Sequence, residues 1–251
     1  MRTGRGRFQG TLQIVRYNWS FYLAGLIAIG VGLAFLHWVR VPGWFAALVW
    51  IGLGFAAWWW LASLVVSYWV YDLSGLMNWR WLSDLVGEKP SSWVNMHSGL
   101  DESTPELAAD WGAPALVLDL FDAEEMTEPS ILRARASARN AVVATAASYR
   151  ALPLGDHVVP LAALLFAAHE LRSPAAREAL FAELLRVLQP GGRLILVEHV
   201  RDSANFLAFG PGFMHFMPRG EWLRLASCSG FQVRHQVRKT PFVIGLVLEK
   251  P

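Results

Sequence analysis

The stretch AAREALFAELLRVLQPGGRLILVEH, residues 175–199, contains a helix, a forced reversal and a strand in direct succession. Leu180, Phe181, Leu184, Leu185 and Leu188 recur at helical spacing, while Arg177, Glu178, Glu183 and Arg186 take the opposite side, so one apolar stripe faces a core. Pro190 has no N–H with which to continue the helix, and Gly191 with Gly192 supplies the positive φ that a reversal usually needs. Leu194, Ile195, Leu196 and Val197 then form an unbroken aliphatic run, the pattern of an inner parallel strand covered by helices on both faces. The C-terminal part of the chain is therefore expected to be α/β.

Within it, LLRVLQPGGRLILVEH resembles the helix, turn and fifth strand of class I S-adenosylmethionine-dependent methyltransferases, in particular the quinone-biosynthesis-like group. The resemblance reaches from about residue 93 to the C-terminus. It implies a Rossmann-like α/β sheet of seven strands with an antiparallel last strand, S-adenosylmethionine as cofactor, and methyl transfer as the activity. Any doubly wound domain with a tight αβ turn is the bland alternative.

The composition of the 251 residues is split. No Asp or Glu precedes Asp72, and that segment carries Arg2, Arg5, Arg7, Arg16 and Arg40; from Asp72 onward 17 Lys and Arg face 20 Asp and Glu. The basic balance belongs to the N-terminal segment alone, so a nucleic-acid partner is not indicated. Eleven of the 13 Trp lie at or before Trp93, which again separates the two regions. Cys228 is the only cysteine, which leaves neither a disulfide framework nor a thiolate zinc site, fits a reducing compartment, and with no other ligand spacing in view gives no metal assignment.

Residues 19–39 and 44–70 are two uncharged, overwhelmingly apolar runs. A helix rises about 1.5 Å per residue, so each is long enough for a hydrocarbon core of about 30 Å. Arg40, Val41, Pro42 and Gly43 are too short a link for anything but antiparallel neighbours. Domain 1–72 is thus a basic tail with a transmembrane hairpin; a cleaved signal is the alternative for the first run, but it is long and a second span follows at once. Four arginines precede the first span and one lies in the link, which places both termini and the catalytic domain in the cytoplasm, at the inner membrane of a bacterium. Ala24, Ala28 and Gly32, with Gly52 and Ala56, are the small residues expected where the two helices meet. Trp58, Trp59 and Trp60 fall inside the second run, where they either pack helix on helix or line a path for an apolar substrate. Residues 73–92 read as a juxtamembrane linker, with an amphipathic helix over about 71–89 lying in the headgroup region.

In the remaining domain, 93–251, residues 93–97 are the first strand expected. The resemblance implies a glycine-rich cofactor loop after it, and of that pattern this chain keeps the middle glycine, Gly99, with Asn95 where an acid commonly anchors the cofactor's amino group and His97 and Asp101 in place of glycines. Residues 116–121 are the second strand, at whose end the resemblance implies an acid for the cofactor's ribose hydroxyls; Asp119 and Asp122 compete for that role or serve as loop or capping carboxylates. A helix over about 127–140 and a third strand over 141–145 follow. Leu154 and Asp156 then resemble the family's Leu-Pro-Phe-x-Asp segment beside the adenine. A fourth strand over 161–168 ends in His169 and Glu170, at the strand end where such sheets hold ligands, although a surface or capping pair reads equally well.

Glu198, His199, Arg201, Asp202 and Asn205 crowd the exit of the fifth strand as a site would. Residues 206–216 form an aromatic loop whose lone His215 reads as structural. Strands over 231–237 and 242–248 close the sheet. The catalytic candidates are His169 and His199 as base, with Glu170 orienting or sharing the role. The hairpin implies a small lipophilic acceptor, quinone-like, phenolic or fatty-chain, and the lipid bilayer as partner. A catalytically inactive, membrane-tethered binding module is the rival; a nicotinamide oxidoreductase lacks its fingerprint near Gly99. Oligomeric state stays open.

Overall fold

The computed structural model describes residues 5–138 and 142–251; Arg139, Asn140 and Ala141, where the expected helix ends and the third strand opens, lie outside the described residues. Seven strands, β1 (Val94–His97), β2 (Leu116–Asp119), β3 (Thr145–Ala146), β4 (Val159–Leu165), β5 (Leu188–His199), β6 (Gln232–Thr240) and β7 (Val243–Glu249), form one sheet in the order β3-β2-β1-β4-β5-β7-β6. All neighbours are parallel except β7, which runs antiparallel to β5 and to β6. The Rossmann-like sheet with its terminal antiparallel hairpin is as expected. Because β1 leads outward to β2 and β4 leads the other way to β5, the chain leaves a crevice at the carboxyl ends of β1 and β4.

Alternation along the inner strands builds two cores. Leu164, Leu194 and Leu196 face Leu180, Phe181 and Leu184 of α7 (Pro174–Val187) and Trp222 and Leu225 of α9 (Arg219–Ser229). Leu161, Ala163, Leu165, Ile195 and Val197 face the other way, onto Val70, Leu76, Met77, Trp79, Trp81, Leu82 and Val86. This corrects the headgroup helix expected over 71–89. The chain there is a π-helical turn (Tyr68–Leu73), a 3₁₀ turn (Leu76–Asn78) and the short helix α4 (Trp81–Val86), and its apolar residues cover the sheet. Amphipathicity alone does not distinguish a bilayer from a bare sheet face.

The Pro-Gly-Gly turn is taken into the start of β5. Leu188 pairs with Val159 and not with the helix, the register slips, and Arg193 pairs with Leu161. Gly191 has φ +74°, and a Cβ on Gly192 would lie 2.7 Å from the Gln189 carbonyl oxygen and 2.9 Å from that of Val159. Other bounds shift: α6 is Pro129–Ser137, β3 is only Thr145–Ala146, at the far end of the strand expected over 141–145, and β4 begins earlier and ends at Leu165. The 206–216 loop instead contains α8 (Ser203–Phe209) and a 3₁₀ turn (Gly210–His215).

The two apolar runs are α2 (Trp19–Trp38) and α3 (Gly43–Ser67), helices long and apolar enough to cross a membrane. Gly32 lies against Leu53 of α3 as expected of a helix contact, but Gly52 meets nothing within 4 Å and takes no part in it. The tryptophans pack: Trp58 Nε1 donates to the Leu207 carbonyl at 3.0 Å, Trp60 Nε1 to that of Tyr22 at 3.2 Å, and the Trp59 ring lies on Gly210 and Phe206. Ahead of them, unforeseen in the basic tail, α1 (Gln9–Tyr17) is held by Asp72, which accepts from the N–H groups of Gly10 and Thr11 at 2.8 and 2.9 Å. That carboxylate at a helix N-terminus satisfies donors with no partner inside the helix. Helix α5 (Thr104–Trp111) completes the described helices.

Candidate active site

At the end of β1 the side chains turn inward. Asn95 is fully buried, and its Nδ2 donates to Ser103 Oγ at 2.9 Å and Thr104 Oγ1 at 2.7 Å, with Asp101 Oδ1 at 3.3 Å. Asp101 accepts the N–H groups of Ser103 and Thr104 and so ties the loop to the start of α5. His97 Nδ1 accepts the Gly99 N–H at 3.0 Å, which leaves the proton on Nε2, and burial holds its pKa down. Asn95 Oδ1 and His97 Nε2 are buried and have no hydrogen-bond partner among the described residues.

Of the two candidate ribose acids, Asp119 stands at the end of β2, beside the cofactor loop. Asp122 Oδ1 instead accepts from Glu124 and Glu125 N–H groups and closes a turn. Asp119 is bridged by Arg135 at 2.5 Å, and the guanidinium also lies 4.2 Å from the Phe121 ring centroid. Arg135 reaches across Gly99: a Cβ there, at φ +97°, would meet its Nη1 at 2.9 Å. One side chain thus lies over both Gly99 and Asp119. Leu154 and Asp156 are not part of this group. Asp156 is bound to Arg186 at 2.6 Å just before β4 begins, at the end of the sheet opposite the crevice, and Leu154 packs on the core. The Leu-Pro-x-x-Asp spelling led there, but the intervening residues carry the chain past the crevice.

Beside these residues opens a cavity of about 460 Å³. Ser98, Leu100 and Ser103 after β1, Ala167, His169 and Glu170 after β4, and His199 at the end of β5 line its sheet side. Ile14 and Tyr17 of α1, Phe21 and Tyr22 of α2, and Met77 and Trp79 line the other. The strand-end wall carries the polar cluster of His169, Glu170 and His199, while on the other side Arg5, Gln13, Asn18 and Ser63 are interleaved with the apolar side chains.

Its polar wall is a network. Glu198, fully buried, accepts the N–H groups of Ala168 and His169 on Oε1 at 2.9 and 3.2 Å and holds His169 Nδ1 on Oε2 at 2.6 Å. His169 Nε2 faces Glu170 Oε1 at 3.3 Å, and His215 Nδ1 faces Glu128 Oε2 at 2.8 Å. Burial disfavours the charged imidazole of His169, but Glu198 and Glu170 outweigh it and push its pKa up to about 10. For Glu170, burial pushes up and His169 pulls down further, leaving it low. Hydrogen bonding from His215 lowers Glu128. His169 at neutral pH is accordingly a proton holder, not a free base.

His199 differs. Its Nδ1 faces the Phe242 carbonyl at 3.1 Å and its Nε2 the Tyr71 hydroxyl at 2.7 Å, and its ring lies between Phe166 and Phe216 at centroid distances of 5.2 and 4.7 Å. Burial, helped by the charge on His169, lowers its pKa to about 3. Both nitrogens are committed, so His199 positions Tyr71 and the aromatic wall. Of the remaining loop residues, Arg201 donates to the Phe216 and Met214 carbonyls, Asp202 caps α8, and Asn205 donates to Phe242. Glu128, Arg135, Tyr71 and His215 were not assigned to the site from sequence, because each reaches it from a segment far along the chain from the strand ends it meets.

No curated protein matches the chain. Residues 100–196 match the family model described as a methyltransferase domain. A SAM-dependent methyltransferase from Aquifex aeolicus superposes with TM-score 0.51 at 18% identity, covering 72% of this chain and 94% of its own. The PH0226 protein from Pyrococcus horikoshii OT3 gives 0.51 at 16%, covering 68% and 86%. Geranyl diphosphate C-methyltransferase from Streptomyces coelicolor A3(2), solved with Mg²⁺, geranyl diphosphate and S-adenosyl-L-homocysteine, gives 0.51 at 14%, covering 75% and 83%. The structural likeness carries the fold. The domain match, over residues 100–196, carries the reaction class, methyl transfer.

Proposed function

We propose that this chain is a membrane-anchored S-adenosylmethionine-dependent methyltransferase of the quinone-biosynthesis-like kind, acting on a small lipophilic acceptor. The observation that carries the reading is the cavity: it joins the carboxyl ends of β1, β4 and β5 to Phe21 and Tyr22 at the foot of an apolar hairpin. An acceptor that partitions into lipid would reach His169, Glu170 and His199 past Phe21, Tyr22 and Met77 at the foot of the hairpin. The hairpin, by length and composition, would cross the cytoplasmic membrane, with both termini and the domain on the cytoplasmic side.

The donor's requirements match what β1 and β2 offer. Asn95 Oδ1 is a buried acceptor lacking a partner among the described residues, suited to the donor's ammonium; His97 Nε2 is a buried donor in the same condition, and Asp119 offers a carboxylate for ribose hydroxyls. When bound, S-adenosylmethionine supplies an electrophilic methyl for in-line displacement. The chain's own task is to hold the acceptor in line and exclude water, with α1 and the foot of α2 as the cover. Glu170, aligned by His169, is the carboxylate that faces the acceptor side of the cavity. Arg135 must leave Asp119 for the ribose to occupy it, and that contact is what favours the second reading, a non-catalytic methyltransferase-like binding module.

The experiment is calorimetric binding of S-adenosylmethionine to the full chain in nanodiscs, followed by S-adenosylhomocysteine release with a prenylated phenol or quinol against its water-soluble analogue. We expect binding, and turnover that favours the lipophilic acceptor. No binding by the folded chain rejects the enzyme reading; equal turnover of both acceptors rejects the membrane-fed substrate.

A further inference from the structure

We propose that His169, Glu170 and His215 form a binding site for one divalent first-row transition-metal ion in the cavity wall. One ligand atom from each of the three lies within 4.8 Å of those of the others, close enough to share one ion. They come from two separate segments, the 3₁₀ turn after β4 and the 3₁₀ turn after α8, and all three line the cavity.

The surroundings are those of a ligand set. A metal-binding imidazole commonly gives its other nitrogen's proton to a carboxylate, which fixes the tautomer and strengthens the donor. Both histidines have that partner on Nδ1: Glu198 Oε2 at 2.6 Å for His169, and Glu128 Oε2 at 2.8 Å for His215. Each Nε2 is then the ligating nitrogen. Arg172 fixes the spacing of the two segments, donating to the His215 carbonyl at 2.5 Å and the His169 carbonyl at 3.4 Å while its Nε lies 3.4 Å from Glu128.

Charge points the same way. Among the described residues three carboxylates, Glu128, Glu170 and Glu198, face one guanidinium, Arg172, so once an ion displaces the proton that His169 holds, the cluster carries three negative charges less one positive, a surplus of two. A dication balances it. Two imidazoles and one carboxylate favour Zn²⁺, Fe²⁺, Co²⁺ or Ni²⁺ over the all-oxygen preferences of Ca²⁺ and Mg²⁺. With three protein ligands, further coordination positions remain for water or an oxygen ligand in the cavity.

The test uses the full chain in detergent micelles, without a polyhistidine tag, stripped with chelator and titrated with CoCl₂ by visible absorption and calorimetry. The expected result is one equivalent of Co²⁺ with a d–d spectrum, displaced by Zn²⁺. His215→Ala and Glu170→Gln should lose the spectrum. Glu198→Gln should raise Kd by about 10- to 100-fold, the range for losing a partner behind a ligand. His235→Ala, on exposed β6, and Asp119→Asn should bind Co²⁺ as the wild type does, the latter separating this site from donor binding. Circular dichroism identifies folded variants, and Glu170→Gln, nearly isosteric, keeps the comparison usable if a histidine variant does not fold. Wild-type protein that binds no Co²⁺, or binds it no better than folded Glu170→Gln, overturns the proposal whether or not S-adenosylmethionine binds.

Discussion

Replacing Arg135 by alanine should tighten binding of S-adenosylmethionine, although it removes a positive charge from the site of a ligand bearing a carboxylate. The guanidinium bridges Asp119 at 2.5 Å and lies 4.2 Å from the Phe121 ring, and its side chain is 41% exposed. A bridge this open to solvent is worth at most about 1 kcal/mol, and the ring contact about 0.5–1 kcal/mol. A donor that must displace both gives up roughly 1–2 kcal/mol, so Arg135→Ala should lower Kd by about 5- to 30-fold. Asp119→Asn acts in two directions, weakening the ribose contacts but also releasing Arg135. In the Arg135→Ala background only the loss remains, about 1.5–3 kcal/mol for hydrogen bonds to a charged group, or roughly 10- to 150-fold. Calorimetry of the two single variants and the double variant, at low and high salt, measures both quantities, and the gain from Arg135→Ala should shrink as salt screens the exposed bridge. If Arg135→Ala weakens binding, Arg135 holds the donor and the argument about displacement is wrong. If Asp119→Asn has no effect in either background, the ribose does not use that carboxylate.

His199 should make the fold sensitive to acid. Its folded-state pKa is lowered to about 3 by burial, while the unfolded chain titrates near 6.5. Between those values the unfolded state binds the extra proton, so stability falls as pH drops from about 6.5 toward 3, by a few kcal/mol over the whole window. Urea melts at successive pH values should show that slope reduced in His199→Phe, which keeps the ring stack and removes the titrating group; an unchanged slope assigns the acid lability elsewhere. Gly192→Ala should destabilise by about 1–3 kcal/mol, because the methyl would enter the space between the Gln189 and Val159 carbonyls at 2.7 and 2.9 Å. A thermal midpoint equal to wild type would show that the β4–β5 slip can absorb it.

The sheet was legible because its signals are local. The aliphatic run from Leu194 to Val197 and the Pro-Gly-Gly turn before it declare a buried parallel strand from a dozen adjacent residues, and the closing hairpin follows from its own alternation. The failures came where one pattern serves two solvents. Leu76, Leu82 and Trp81 have the spacing that a bilayer surface would select, yet they cover Ile195 and Val197, since any apolar face is satisfied by whichever apolar surface is nearest. The basic tail failed likewise: α1 is fixed by Asp72, some sixty residues on, and no pattern within the tail announces that partner.

The polar wall shows the same limit more sharply. His169 and Glu170 could be placed because a strand end locates a crevice, but the partners that decide their chemistry, Glu198, His215 and Glu128, arrive from three other segments. Position alone made His169 a base, and the contacts make it a proton holder, because two carboxylates outweigh its burial. The same step reverses His199, whose ring is walled by Phe166 and Phe216 and whose two nitrogens are already engaged. A histidine's protonation is set by the sum of neighbours that the fold gathers, so sequence can nominate the residue while only the assembled wall decides whether it gives, takes or merely holds a proton.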